Sequence, residues 1–384
     1  MKIARDSSAS VWLDLIRGAA AVAVLIYHVR YRFFLDYADL TESSLTAKLF
    51  YAATAFGHDA VILFFVLSGF FISRSVIQGF QGTKTDWKSY SLSRLTRLYV
   101  VLLPALLITL LCDGIGLFAF PEHPIYTGQP QAWIHDYFPV GARLAPEVLA
   151  GNLVFLQTIF VSPAGSNEAL WSLAYEFWYY MIFPCIFVCL TATHSIGTRL
   201  LHGFLAVCVG FLVGSHILLY LPIWLMGTVV CLAPKSSVLM KYRRTAIVLS
   251  IGLFACLTLA GHVNLLTSFT GNQIVWADYL TSIGFTVLLY SLCHCEEVTP
   301  KSAFKTLATT SSGFSYTLYA VHLPILVLLR AWLVPYKPWS PNLMTICSAM
   351  LISVMVIGVA YLLSLITERK TASVRAAVSK CFGG

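Results

Sequence analysis

Arg17 and His28 lie in one apolar run, and their spacing carries them about 20° past three full helical turns, onto one stripe about 16 Å apart along the axis. Ionisable groups inside such a run are costly to bury, so each is a candidate for function. An imidazole exchanges protons near neutral pH, so His28 can serve as general base toward a hydroxyl. A guanidinium stays charged, so Arg17 can hold an anion or a helix-dipole position. Both residues equally suit snorkelling at a helix end. Further along, His58-Asp59 precedes the run Phe64-Phe65-Val66-Leu67-Ser68-Gly69-Phe70. Asp59 can orient an imidazole, bind substrate or sit as an interfacial carboxylate, while Ser68 and Gly69 suit close helix packing.

Arg94 and Arg97 stand one turn apart, and two planar forks of donors fit phosphate oxygens well. The same pair fits contact with anionic lipid. Trp171, Tyr175, Trp178, Tyr179 and Tyr180 open an apolar segment as an interfacial aromatic belt does. Glu176, a turn inside that segment, must face protein or water, at a depth that allows pairing with His28. Tyr316, Tyr319 and His322 recur every third residue, share a broad face and can line a polar tunnel. Taken singly, His322 reads as a hydrogen-bonded structural histidine.

Apolar helices must position these residues. The chain has 384 residues, 58% hydrophobic and 11% charged, against about 25% charged in soluble domains. Its mean hydropathy is +0.78. Apolar segments drawn at about 11–30, 56–77, 97–119, 171–192, 199–214, 216–233, 244–262, 276–293, 312–333 and 343–366 are each long enough, or nearly so, to cross a bilayer. The reading is therefore an all-α integral membrane protein of about ten transmembrane helices, forming one polytopic domain over 1–384. Only Gly214-Ser215-His216 divides the fifth segment from the sixth.

The net charge of +8 sits in short clusters between apolar segments, which suits positive-inside orientation and not nucleic-acid binding. With a cytoplasmic N-terminus, eighteen of the 25 Lys and Arg fall inside, five outside, and Arg17 and Arg330 within helices. Both termini are accordingly expected in the cytoplasm, with a tail from about 367 to 384. The longest connection, about 120–170, lies outside; its Pro130, Pro139, Trp133 and Tyr137 suggest an ordered cap on the membrane surface. The first run follows Lys2 and Arg5 but holds Arg17 and His28, so it is expected to remain as a helix. The ten cysteines lack the spacing of a disulfide framework or zinc site, and no metal is expected at Cys293-His294-Cys295.

In these residues the sequence resembles the membrane acyltransferase-3 family, polytopic bacterial enzymes that acylate cell-surface and exported polysaccharides. The resemblance runs from Leu13 to about Glu368. It rests on the Arg17–His28 spacing, the Phe64–Phe70 run, Arg94-x-x-Arg97 with Pro104, Trp171-Ser172-Leu173 with Glu176, and Ser315-Tyr316 with Tyr319 and His322-x-Pro324. It departs at Thr367-Glu368-Arg369-Lys370, where relatives often carry a proline.

The resemblance implies that His28 is catalytic, that Arg17 belongs to the same essential pair, and that Arg94 and Arg97 help bind acyl-CoA as co-substrate, with no bound cofactor. Added to the residue readings, the expectation makes Glu176, beside His28, the third catalytic residue, gives Tyr316, Tyr319 and His322 to binding the acyl donor, and assigns Asp59, Ser68 and Trp171 to binding or orienting the substrate. The acceptor is expected to be a carbohydrate or glycolipid, and the location the bacterial cytoplasmic (inner) membrane. A proton-coupled secondary transporter also suits buried His, Arg and Glu. A polytopic glycosyltransferase lacks an acidic pair for a metal-bound sugar nucleotide.

Overall fold

The computed structural model describes residues 7–41, 44–80, 86–128, 139–262, 273–294, 302–334 and 337–381, and these are almost wholly helical. Lys2, Arg5, Lys84 and Lys301 of the charge count, Pro130, Trp133 and Tyr137 of the long connection, and Cys295 lie outside the described residues. In chain order the first helices are α1 (Ser8–Phe33), α2 (Leu45–Ala53), α3 (Gly57–Phe80), α4 (Trp87–Ala119), α5 (Pro124–Thr127), α6 (Pro146–Leu153) and α7 (Trp171–Leu190). There follow α8 (Ile196–Leu232), α9 (Ser237–Lys241), α10 (Arg243–His262), α11 (Gln273–Leu292), α12 (Ser302–Ser312), α13 (Ser315–Leu333), α14 (Leu343–Ile366) and α15 (Thr371–Cys381).

Nine helical stretches among the described residues are long and apolar enough to cross a membrane, so the protein is an all-α, multi-pass membrane protein. The difference from ten drawn segments lies in α8, which takes in both the fifth and the sixth. Its 37 residues would run about 55 Å if straight, against a hydrocarbon core of about 30 Å. It is not straight. Gly214 has φ 74 and ψ 177, a conformation that only glycine adopts readily. A Cβ on Gly210 would touch Leu218 at 3.9 Å, although eight positions of straight helix would separate the two by about 12 Å. The helix turns sharply at the boundary that the sequence marked.

The chain forms two compact units, each built from three separate stretches: Met1–Ala20, His58–Ser91 and Trp178–Ser312 in the first, and Ala21–Gly57, Leu92–Phe177 and Gly313–Gly384 in the second. In the first unit α3 and α8 meet backbone to backbone. A Cβ on Gly69 would collide with the Trp224 carbonyl, and one on Gly227 with the Val66 carbonyl. This is the close packing that small residues permit in a membrane. A hydroxyl pair stitches the same contact, with Ser73 and Thr228 2.6 Å apart, and from α7 the Tyr179 hydroxyl donates to the Ile217 carbonyl of α8 at 2.6 Å.

In the second unit α13 is the most enclosed helix: Leu318, Ala320, Val321, His322, Leu326 and Ala331 have no exposed surface. The described part of the long connection packs on its far end, where Tyr126 and Val140 meet Val327 and Ala331. Buried polar groups order that connection because they must be paired. Asp113 on α4 accepts from the Ser166 amide at 2.8 Å and its hydroxyl at 2.6 Å. Asn167 donates to Thr109 at 3.0 Å and to the Ala320 carbonyl at 2.9 Å, pinning the connection to both α4 and α13.

Candidate active site

His28 lies on the part of α1 that belongs to the second unit, and there its ring meets that of His322 with centroids 4.9 Å apart. The hydrogen bonds set the tautomers. His322 Nδ1 faces the carbonyls of Leu318 at 3.1 Å and Tyr319 at 2.8 Å, and since carbonyls only accept, this nitrogen carries the proton. Its Nε2 is then the acceptor, 3.1 Å from His28 Nδ1. His28 Nδ1 also faces the Val24 carbonyl at 2.9 Å, so its proton is shared between Val24 and His322. By elimination the lone pair of His28 sits on Nε2, the form a general base needs. His322 is fully buried and His28 half-buried.

The neighbouring residues of α13 and α7 form a second set of contacts. The Ser172 hydroxyl and the Tyr319 hydroxyl are 2.7 Å apart, and Tyr316 donates to Glu176 at 3.3 Å. The imidazole thus meets a second imidazole, and the carboxylate a phenol. Trp171 packs edge-on to Tyr175, with centroids 4.9 Å apart.

The first turn of α13 is capped from the C-terminal tail. Glu368 accepts from the Thr317 amide at 3.1 Å, placing a carboxylate on an orphan donor at the positive end of the helix. Near this end Arg375 donates to Ser93 at 3.3 Å, beside the half-buried Arg94 and Arg97. At the opposite end of α13, Arg330 donates to the Arg32 carbonyl at 2.8 Å. His322 lies about 10 Å from the start of its helix and about 16 Å from its end, so within this unit the histidine pair has basic residues toward both.

The remaining candidates lie in the first unit. Arg17 pairs with Asp14 one turn before it, at 3.6 Å. Ser68 accepts from the Trp224 indole at 3.2 Å and is 3.4 Å from the Tyr180 hydroxyl. Asp59 accepts from His262 at 2.9 Å and from Thr281 at 2.9 Å, so it does orient an imidazole. Its neighbour His58 bonds Asp278 at 3.0 Å, which also accepts from Tyr220 at 2.8 Å. Asp278, His262 and the His28–His322 contact were missed from sequence, for the partners lie 200 or more positions apart and spacing cannot join them. The His294 ring donates to the Tyr290 carbonyl at 2.7 Å and accepts from the Ser236 amide at 3.0 Å, so both nitrogens are engaged. The nine described cysteines are free thiols.

Outside the spans, His123 is buried beside the Arg330 charge. Burial and then that charge push its pKa down to about 4, despite the nearby Val334 carbonyl. Burial likewise pushes the Tyr126 phenol up, with Asp113 adding to it.

A family model described as an acyltransferase domain matches residues 10–365. No curated protein and no solved structure matches the chain.

Proposed function

The chain belongs to the acyltransferase-3 family, and from that premise we propose that this membrane acyltransferase moves an acyl group, acetyl in the simplest case, from acyl-CoA to a hydroxyl of a cell-surface or exported carbohydrate. The observation that carries the reading is the fixed tautomer of His28, whose Nε2 keeps its lone pair because Nδ1 is committed to Val24 and His322. In the reaction, Nε2 takes the proton of the acceptor hydroxyl as its oxygen attacks the thioester carbonyl. The tetrahedral intermediate collapses with cleavage of the carbon–sulfur bond. The imidazolium then returns its proton to the CoA thiolate, leaving an ester and free thiol. His322 acts through His28: its Nε2 accepts a hydrogen bond that holds the ring in one orientation.

Arg94 and Arg97 are assigned to the phosphates of CoA on the cytoplasmic side of a bacterial inner membrane, with Tyr316 and Tyr319 along the donor's path. Arg17 belongs with His28 as the other member of the family's pair. An alternative route forms an acyl-imidazole on His28 before the sugar arrives.

Purified full-length protein with radiolabelled acetyl-CoA and a glycan acceptor tests the reading. CoA release that depends on the acceptor, and is lost in His28→Ala, supports it. Unchanged turnover in that variant refutes both routes. Proton-driven sugar uptake without CoA release supports a transporter instead. Label retained on wild-type protein after a chase without acceptor selects the acyl-imidazole route.

A further inference from the structure

The tail after α14 lies beyond the stretch that the family model matches, which ends at residue 365, yet within the second unit it is bound to α13, α14 and α4. Glu368 accepts from the Thr317 amide at 3.1 Å and from its hydroxyl at 3.3 Å, and the Thr367 hydroxyl is 3.2 Å from that of Thr317. Arg369 lies over the Tyr361 ring, 4.8 Å from its centroid. From there α15 carries Arg375 back to the first part of α4, where its guanidinium donates to the Ser93 hydroxyl at 3.3 Å.

The partner of Arg375 is neutral, so the bond leaves the charge of an exposed guanidinium, and most of its donors, uncommitted among the described residues. Holding so long a side chain in one place costs rotamer entropy that a bond to a hydroxyl near the surface returns only in part. What stands beside Ser93 gives the placement a use. Ser93 and Arg97 are four positions apart on α4, so they share a stripe, with about 6 Å between their Cβ atoms. Arg375 thus reaches the Arg94-x-x-Arg97 pair from a distant part of the chain, one turn nearer the start of the helix than Arg97. Arg94 and Arg97 are half-buried and Arg375 is exposed, so it stands at the outer edge of this basic group.

We infer that Arg375 forms a subsite for a phosphate monoester at the nucleotide end of the acyl donor, the ribose 3′-phosphate of CoA. The inference rests on the reading of Arg94 and Arg97 as the donor's phosphate site. CoA carries its thioester at one end and, toward the other, a pyrophosphate followed by a nucleoside with a separate monoester. With the thioester drawn in to His28, the pyrophosphate falls to the half-buried pair and the monoester, furthest from the thioester, to the exposed guanidinium. A planar fork of donors suits a monoester dianion. A plain staple would tie the tail to α4 through the same bond. The two accounts part over Ser93: a staple fails alike when either partner is removed, whereas a phosphate subsite depends on the charge.

Binding is measured on the purified full chain in detergent by isothermal titration with CoA and with dephospho-CoA, which lacks the 3′-phosphate. The wild type is expected to bind CoA about tenfold more tightly than dephospho-CoA, and Arg375→Gln to bind both as the wild type binds dephospho-CoA. Arg375→Lys should keep part of the preference, Ser93→Ala most of it, and the double variant Arg94→Gln/Arg97→Gln should weaken both ligands. Equal binding of the two nucleotides by the wild type overturns the subsite and returns Arg375 to lipid headgroups. So does a preference that survives Arg375→Gln, or one that Ser93→Ala abolishes as fully. No CoA binding by the wild type overturns the donor reading and the subsite together, whereas CoA binding indifferent to the 3′-phosphate overturns the subsite alone.

Discussion

Replacing His28 by Ala removes the lone pair that the Val24 and His322 contacts keep on Nε2, and the turnover number is expected to fall about 10²–10⁴-fold. His322→Leu is expected to cost tenfold or more in kcat with KM for acetyl-CoA little changed, because the ring loses its acceptor and not the donor its site. His322→Gln, whose amide oxygen can accept from Nδ1, should recover part of that loss. Equal defects in the two variants would reduce His322 to packing. His123 gives a pH effect away from the chemistry. Its folded pKa is about 4 against 6.5 ordinarily, so between those values the unfolded segment binds a proton that the folded one refuses. Stability of the segment around α5 therefore falls as pH drops from about 6.5 to about 4. Protection factors at Tyr126 and Gly128, measured by hydrogen exchange, should decline over that window, and His123→Gln should flatten the decline. Part of this level was legible in sequence: Arg17 and His28 on one helix, and Asp59 orienting an imidazole. What was hidden were the partners, because His322, His262 and Asp278 reach His28, Asp59 and His58 only through the fold.

Helices differ in how much of their geometry the sequence announces. Long apolar runs were read directly, since about 20 apolar residues have few uses other than crossing a bilayer. The helix Leu45–Ala53 was not read, being too short for that pattern; its start is set by Ser44, whose hydroxyl accepts from the Ala47 amide. The described connection between α4 and α7 was foreseen as ordered, but not the means. Phe155 and Thr158 hold left-handed backbones, φ 58 and 71, in a turn fixed by stacking of Phe155 on Phe177 at 4.4 Å and by the Tyr99 hydroxyl on the Leu153 carbonyl. At α8 the torsions separate two glycines with similar surroundings. Gly214→Ala forces a side chain onto a backbone suited to glycine alone and should destabilise by about 1–3 kcal/mol. Gly210→Ala adds an ordinary contact in helical backbone and should be neutral or stabilise by up to about 1 kcal/mol. Thermal unfolding of the two proteins in one detergent separates them, and equal midpoints would contradict the assignment of strain to Gly214.

For the whole molecule, the sequence conveyed class and family more fully than arrangement. A 58% hydrophobic chain with clustered charges excludes a water-soluble fold, yet composition carries no sign of two units each assembled from three stretches. Orientation has its own test. On the charge bias the tail is expected inside and the connection before α7 outside. A membrane-impermeant maleimide is therefore expected to reach Cys381 only after the cytoplasmic face is opened, and an Ala142→Cys variant in intact cells. The reverse pattern would invert the assignment of donor and acceptor sides. Cys208, Cys256 and Cys347 are exposed on apolar helices and should resist labelling from either face, as thiols against hydrocarbon do not form thiolates.

The turn at Gly214 reaches beyond its own helix. Were α8 to pass straight through, every later segment would be threaded in the opposite sense, and the tail that caps α13 would emerge into the other compartment. A single backbone torsion thus acts as a parity bit for the remaining 170 residues.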